Sequence, residues 1–142
     1  MSTARRVVMH QPGEPEVMRL ETLELPPPGA GEVRIRQTAI GFNYIDVYQR
    51  QGKYPLPLPS GLGHEACGVV EQLGAGVEGL RPGDRVAYIN AGIGAYADAR
   101  NVPAERLVAV PAGIGDEQAA AVLFKGLTAQ YLLRKTHRVQ PG

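Results

Sequence analysis

Hydrophobic and polar residues alternate along several short segments of the chain. The clearest example begins at Glu32, where Val33 and Ile35 fall on one face and Arg34 and Arg36 on the other. This period predicts a strand with one face toward solvent. The other segments with strand character are short and are separated by glycine and proline. We predict strands over residues 5–9, 17–25, 32–38, 66–73 and 85–89, and two more within 95–110 with Pro103 between them.

After Gly41 the spacing of the hydrophobic residues becomes helical. Hydrophobic side chains recur at i, i+1, i+3 and i+4 over residues 44–48. This spacing predicts a short helix near residues 44–51 that begins at or just after Asn43 and ends by Gly52. The prolines and glycines of residues 53–63 predict an extended loop.

Residues 116–135 form the one long stretch with helical spacing. Asp116 is the expected N-cap, because its side chain accepts hydrogen bonds from the free N–H groups of a first helical turn. Gly126 lies in the middle of this stretch and is expected to divide it into two helices. The predicted architecture is therefore mainly β, with a short helix near 44–51 and C-terminal helices near 116–135.

Length, charge and cysteine content narrow the possible classes of function. The chain has 142 residues, and 15 Lys and Arg against 14 Asp and Glu give a net charge of +1. This suits a single domain and gives no indication of a nucleic-acid partner or an anionic membrane surface. No apolar segment reaches membrane-spanning length and the N-terminus lacks a secretory signal, so we expect a soluble cytoplasmic protein. Cys67 is the only cysteine, which excludes an intrachain disulfide and a multi-cysteine zinc cage within this chain.

The most informative residues form three glycine-containing segments. These are Gly-His-Glu-Ala-Cys-Gly at 63–68, Gly-Ala-Gly-Val at 74–77 and Pro-Gly-Asp-Arg-Val at 82–86. In this order they resemble the medium-chain dehydrogenase/reductase superfamily. The resemblance implies that residues 1–142 are the N-terminal catalytic domain, with a GroES-like fold that is an irregular β-barrel. It also implies a Rossmann cofactor domain after residue 142, so this chain alone is expected to be inactive.

Three further segments resemble the NADPH-dependent quinone oxidoreductase branch of that superfamily. They are Gly-Phe-Asn-Tyr-Ile-Asp at 41–46, Gly-Lys-Tyr-Pro at 52–55 and Lys-Gly-Leu-Thr-Ala at 125–129. The resemblance implies transfer of a hydride, or of net single electrons, from NADPH to a quinone by an enzyme that is a homodimer when complete. Two alternatives stay open. One is an enoyl or alkenal reductase of the same superfamily, and the other is a non-catalytic GroES-like module for binding or oligomerisation.

The departures from the zinc alcohol dehydrogenases imply that the domain holds no zinc. Those enzymes have cysteines where this chain has Asn43 and Lys125, and a histidine that matches His64. An amide is a poor zinc ligand and a protonated amine cannot ligate. The cysteine lobe that holds structural zinc is replaced by Asn-Ala-Gly-Ile-Gly-Ala-Tyr at 90–96. We therefore expect a zinc-independent enzyme.

A glycine pattern that fits the dinucleotide fingerprint occurs at Gly74, Gly76 and Gly79. The fingerprint also needs a helix directly behind the glycines, because the pyrophosphate binds at the helix N-terminus. Leu-Arg-Pro-Gly follows instead, at 80–83, and predicts a turn. We therefore expect NADPH to be bound mainly by the domain after residue 142.

Four residues are predicted to contact the substrate. Tyr48 and Tyr54 offer aromatic faces to a flat quinone, and their alternative role is packing around the proline-rich loop. Ile45 is assigned to the same side, within the segment that carries the resemblance. His64 stands at the family's metal-ligand position, where it either hydrogen-bonds the substrate or stays in a satisfied site.

Three residues are predicted to contact the cofactor. Asn43 either orients the nicotinamide carboxamide or a ribose hydroxyl, or serves only as an N-cap. Lys125 and Thr128 fall where a helix start would meet a phosphate or the nicotinamide ribose. The alternatives are a solvated lysine and a threonine bonded to its own helix. For Lys125, its place in the family's motif favours the functional role.

Overall fold

The computed structural model describes residues 2–140 and shows a mainly β domain. The strands that alternation predicts are present, and β1 is longer than expected because it begins at Ser2. A two-residue strand, β4, lies inside the segment that was predicted to be a loop. The strands are β1 (Ser2–Met9), β2 (Met18–Leu25), β3 (Glu32–Gly41), β4 (Ser60–Gly61), β5 (Glu65–Leu73), β6 (Arg85–Ile89), β7 (Ala99–Pro103) and β8 (Leu107–Ala109).

The strands form two antiparallel sheets. One has the order β2-β1-β4, and the other has the order β7-β3-β5-β6-β8. Pro103 is the last residue of β7, and the 3-10 turn Ala104–Arg106 separates β7 from β8. The prediction of a mainly β domain is confirmed. Over residues 2–140, however, the strands remain two sheets with free edges and do not close into a barrel.

Two α-helices complete the fold. The short helix α1 (Tyr44–Arg50) confirms the prediction from residues 44–51. The second, α2 (Asp116–Tyr131), runs on into a π-helical turn at Leu132–Thr136. The expected division at Gly126 is wrong, since one internal glycine costs a helix only about 1 kcal/mol relative to alanine. The N-cap is Gly115 rather than Asp116, which is the first helical residue.

The core lies on the face of the five-stranded sheet that carries the hydrophobic residues of the alternating pattern. Val33 and Ile35 are fully buried there, as predicted. They pack with Val86, Tyr88 and Val102 from β6 and β7. Arg34 departs from the prediction of a solvated opposite face, because it is 6% exposed. Its guanidinium donates to backbone oxygens at the end of β2 and to the Asn101 side chain, so hydrogen bonds replace its hydration.

Helix α2 is attached to the sheet by a small hydrophobic cluster and by one carboxylate. Ala120 packs against Cys67 of β5 and Ala87 of β6. Asp116 accepts a hydrogen bond from the Thr38 hydroxyl at 2.6 Å and forms an ion pair with Arg85. These two partners hold the pKa of Asp116 below its usual value. Burial, aided by the nearby Asp116 carboxylate, raises the pKa of Cys67 to about 11, so this thiol stays protonated at neutral pH.

The start of β3 and the end of β5 approach each other at a position that only glycine fits. A Cβ atom added to Gly74 would lie 1.8 Å from the carbonyl oxygen of Gly29. We predict that Gly74→Ala lowers the free energy of unfolding by about 2 kcal/mol or more, because the two backbones would have to separate. Gly113→Ala is the matched control, since a Cβ there meets no atom within 4 Å. Urea unfolding of both variants measures the difference, and equal stabilities would contradict the predicted contact.

Candidate active site

Helix α1 is fixed at its N-terminus by a buried carboxylate. Asn43 is the N-cap, and its backbone N–H donates to Oδ2 of Asp46 at 3.0 Å. The same oxygen accepts the hydroxyl of Tyr96 at 2.8 Å. Burial raises the pKa of Tyr96 well above its usual value, and the Asp46 carboxylate raises it further. These bonds determine where α1 begins and therefore where its side chains lie.

A second buried carboxylate brings two predicted cofactor residues together. Oε2 of Glu65 accepts the side-chain amide of Asn43 at 2.9 Å and the ammonium of Lys125 at 2.8 Å. Oε1 accepts the backbone N–H of Phe124 at 2.6 Å. Glu65 is completely buried, whereas the Lys125 side chain is 47% exposed. We call Glu65 with its three donors, Asn43, Phe124 and Lys125, the Glu65 cluster. It presents a half-exposed cation, the Lys125 ammonium, whose position is set by the buried carboxylate.

Tyr48 and Tyr54, the two tyrosines predicted to contact the substrate, lie on α1 and on the loop that follows it, and we call this pair the aromatic wall. The ring centroids of Tyr48 and Tyr54 are 5.7 Å apart. Tyr44 approaches Tyr48 edge-on with a centroid distance of 5.1 Å, and the ammonium of Lys53 lies 5.2 Å from the centroid of Tyr48. Tyr44 and Tyr54 are exposed, so their faces are open to a ligand.

The remaining predicted site residues differ in what they contact. Nε2 of His64 lies 3.0 Å from Oε1 of Gln49, so the imidazole is tied to α1, the helix that also carries the half-buried Ile45. The expectation that Lys125 and Thr128 stand at a helix start is wrong, because α2 runs unbroken from Asp116 and both residues lie well inside it. Thr128 is also not brought to the Glu65 cluster. Its hydroxyl donates to the carbonyl oxygen of Phe124 at 2.8 Å, which is the helix back-bonding that was its alternative role.

Glu65, the residue that joins Asn43 to Lys125, is not identified from the sequence. It is treated there only as part of a motif, although a carboxylate placed directly before the apolar residues 66–70 is unusual in itself. Gln49 and Tyr96 were also missed as partners of His64 and Asp46. No local pattern could have found them, because Tyr96 lies fifty residues from Asp46.

Lys125 lines a surface cavity between the end of β3 and α2. The cavity has a volume of about 470 Å³, and Ile40, Phe42 and Ala120 also line it. Phe42 is 60% exposed and adds an apolar surface beside the ammonium. A larger cavity of about 520 Å³ lies between the two sheets, and none of the predicted site residues line it. The two cavities share Ile40 and Phe42 in their linings, and Lys125 lines only the smaller one.

The residues at the family's metal position do not fit a zinc ion. Asn43 and Lys125 both direct N–H donors at Glu65, and donors cannot coordinate a cation. Within the described part of the chain, no group of three or more His, Cys, Asp and Glu side chains is placed to hold a metal.

The glycine pattern at residues 74–79 does not form a dinucleotide site. Turns connect β5 directly to β6, and no helix follows the glycines. Gly76 and Gly79 have positive φ angles, as turns require. The prediction that this segment forms a turn is therefore correct.

No helix between residues 2 and 140 is long and apolar enough to cross a membrane.

Comparison with known proteins gives the family of the chain. Residues 29–112 match the family model of the alcohol dehydrogenase GroES-like domain. A quinone oxidoreductase of Pseudomonas aeruginosa is 49% identical over 140 residues, which are 98% of this chain and 43% of the relative. A 2-haloacrylate reductase of a Burkholderia species is 43% identical over 142 residues, which are 95% of this chain and 42% of the relative.

A solved structure extends the match to three dimensions. The crystal structure of Escherichia coli quinone oxidoreductase complexed with NADPH matches with a TM-score of 0.94 and 45% identity, over 99% of this chain and 43% of that one. The chain thus spans less than half the length of the relatives it matches. The predicted GroES-like fold is confirmed. The chain belongs to the alcohol dehydrogenase GroES-like domain family, in the quinone oxidoreductase branch of the medium-chain dehydrogenase/reductase superfamily.

Proposed function

We propose that residues 1–142 are the catalytic domain of a longer, zinc-independent NADPH:quinone oxidoreductase. The observation that carries this proposal is the match of nearly the whole chain to a quinone oxidoreductase in complex with NADPH. The relatives continue well beyond the matched region. We therefore propose that a Rossmann domain follows residue 142 and binds most of the cofactor. We call this chain together with that domain the longer polypeptide.

The aromatic wall is the proposed substrate side. A flat quinone ring gains most from stacking on exposed aromatic faces, and Tyr54 offers one that Tyr48 supports at 5.7 Å. Ile45 and His64 lie on or against the same helix, so they would contact the edge of a ligand held there.

The Glu65 cluster is the proposed cofactor side. The half-exposed ammonium of Lys125 is suited to a ribose hydroxyl or a phosphate, and the Asn43 amide is suited to the nicotinamide carboxamide. Thr128 is retained as a weaker candidate, since its hydroxyl already has an acceptor within α2. Bound NADPH would supply the hydride. The side chains of this domain would bind both reactants, orient them and exclude water.

The compartment, the class of substrate and the oligomeric state are also proposals. We propose a cytoplasmic enzyme with a small-molecule substrate, and the net charge of +1 gives no general attraction to a polyanion. We propose that the longer polypeptide is a homodimer, as the family resemblance implies.

A second candidate function is reduction of a carbon–carbon double bond next to a carbonyl group. The observation that favours it is the 43% identity to a relative named 2-haloacrylate reductase. This reaction needs a proton donor for the carbon that does not receive the hydride. Tyr54 or His64 would be that donor. The non-catalytic alternative, a binding or oligomerisation module, predicts no turnover of either substrate class.

The first test is activity of the two lengths of chain. We expect the longer polypeptide to oxidise NADPH when 1,4-benzoquinone is added, and residues 1–142 alone to show neither turnover nor micromolar NADPH binding. The reason is that, within residues 2–140, no helix directly follows the glycine-rich turn after β5, as a dinucleotide phosphate site would require. Absorbance at the NADPH band and fluorescence titration are the measurements. Turnover of an enone but of no quinone would favour the second candidate, and turnover of neither would favour the non-catalytic module.

The second test separates the two reactions at Tyr54. We predict that Tyr54→Ala in the longer polypeptide raises the KM for quinone roughly 3- to 10-fold, because an aromatic contact contributes about 0.5–1.5 kcal/mol. NADPH binding should change little. Tyr54→Phe should cost little, because stacking needs a ring face and no proton. Steady-state kinetics on a quinone and an enone give these values.

Leu20→Ala is the control for this test, since Leu20 is 64% exposed on β2 and is not part of the proposed site. A collapse of kcat in Tyr54→Phe with KM nearly unchanged would identify Tyr54 as a proton donor. That result would replace quinone reduction by the second candidate.

The third test concerns zinc. Because Asn43 and Lys125 donate to Glu65, we expect purified protein to carry well under one zinc ion per chain and its activity to survive a strong chelator. Elemental analysis by mass spectrometry measures the ratio. One tightly held zinc per chain, or loss of activity on chelation that zinc restores, would refute the zinc-independent mechanism.

A further inference from the structure

Glu65 is an acidic side chain in a place where charge is costly. It is fully buried in β5, and the two residues that follow it are also fully buried. Removing a carboxylate from water costs several kcal/mol unless charged and neutral donors replace the hydration. Such a residue adds little net stability compared with an apolar side chain of the same size. Its presence therefore calls for a role other than filling the core.

The donors around Glu65 come from two separate elements. The Asn43 amide arrives from the N-terminus of α1, and the Lys125 ammonium arrives from the middle of α2. The third donor, the backbone N–H of Phe124, belongs to the residue just before Lys125. Both oxygens are thus engaged, and one of them joins the two side chains that we place on the cofactor side.

The space for this carboxylate is created by a glycine. A Cβ atom on Gly41 would lie 2.5 Å from Oε2 of Glu65 and 2.4 Å from the carbonyl oxygen of Ala120. The end of β3, the carboxylate and α2 therefore meet at the closest distance that the backbone permits. Little freedom remains for Glu65 to adopt another position.

We propose that Glu65 is a positioning residue, whose buried carboxylate sets the relative placement of the Asn43 amide and the Lys125 ammonium so that the two act as one unit toward the cofactor. The proposal rests on the proposed function, in which these two side chains contact NADPH. A Gln at this position has a similar shape but offers only one oxygen. It also carries no charge to hold the Lys125 ammonium, and its NH2 group must face either the Phe124 N–H or the two side-chain donors. Either orientation sets a donor against a donor and weakens the hold on Lys125.

The kinetic experiment uses Glu65→Gln in the longer polypeptide. We expect the NADPH dissociation constant and KM to rise at least 10-fold, while the KM for quinone stays within about threefold. The matched control is Glu71→Gln, a half-exposed acid of the same strand that pairs only with Arg36 on the surface. Glu71→Gln should leave both constants unchanged. A role confined to holding α2 would lower stability but leave the NADPH constants of the folded protein unaltered, and that result would overturn the proposal.

A double-mutant cycle tests the unit without altering Glu65. Asn43→Ala and Lys125→Met should each weaken NADPH binding, and the double variant should lose clearly less than the product of the two single factors. The cycle keeps the proposal falsifiable even where Glu65→Gln does not fold. Strictly multiplicative losses would overturn it.

A chemical measurement tests, without NADPH, whether Glu65 holds the Lys125 amine. The chain has three lysines, and Lys53 and Lys135 serve as internal references for competitive acetylation followed by mass spectrometry. The bond to Glu65 occupies the Lys125 amine, so Lys125 should react several-fold more slowly than the references and gain rate in Glu65→Gln. Reaction at the rate of the references in the unaltered protein would overturn the proposal. Slow acetylation in a polypeptide that never binds NADPH would instead reject the proposed function while the placement stands.

Discussion

The buried carboxylate of Glu65 is the contact on which the geometry of the site depends. It joins the strand that carries it to the N-terminus of α1 through Asn43 and to α2 through Lys125 and the Phe124 backbone. Because an ionised group without partners is far too costly inside a protein, these donors cannot move independently of one another. The two helices are therefore held in fixed positions relative to β5.

In the proposed zinc-independent enzyme, the cation of the site would be a lysine rather than a metal. The ammonium of Lys125 is tied to Glu65 at 2.8 Å and remains half exposed. A side-chain cation donates hydrogen bonds and attracts anionic groups, but it has no empty orbital with which to polarise a carbonyl oxygen as zinc does. A site built in this way is suited to a reaction that depends on placing two reactants face to face, as the proposed hydride transfer to a quinone does.

The elements that sequence predicted correctly are those fixed by local signals. The alternation from Glu32 gave a strand with Val33 and Ile35 inside, and the spacing after Asn43 gave α1. Where a contact across the fold decided the outcome, prediction failed. Arg34 is buried because carbonyl oxygens at the end of β2 and the side chain of Asn101 accept its hydrogen bonds. The division at Gly126 failed for another reason, since one internal glycine costs a helix too little to interrupt it. The role of Glu65 depends on donors twenty-two and sixty residues away, which no local pattern could reveal.

The same framework is compatible with either reduction that the relatives suggest, and the reason is physical. The Glu65 cluster acts on the proposed cofactor side, and the aromatic wall of Tyr48 and Tyr54 acts on the substrate side. Neither contact depends on whether the hydride acceptor is a quinone ring or an activated double bond. The difference lies in one proton, which a quinone obtains from solvent after reduction and an enone carbon must receive from a positioned donor. In the proposed enzyme, the framework would therefore set where the reactants meet, and whether Tyr54 or His64 can deliver a proton would set which reaction follows.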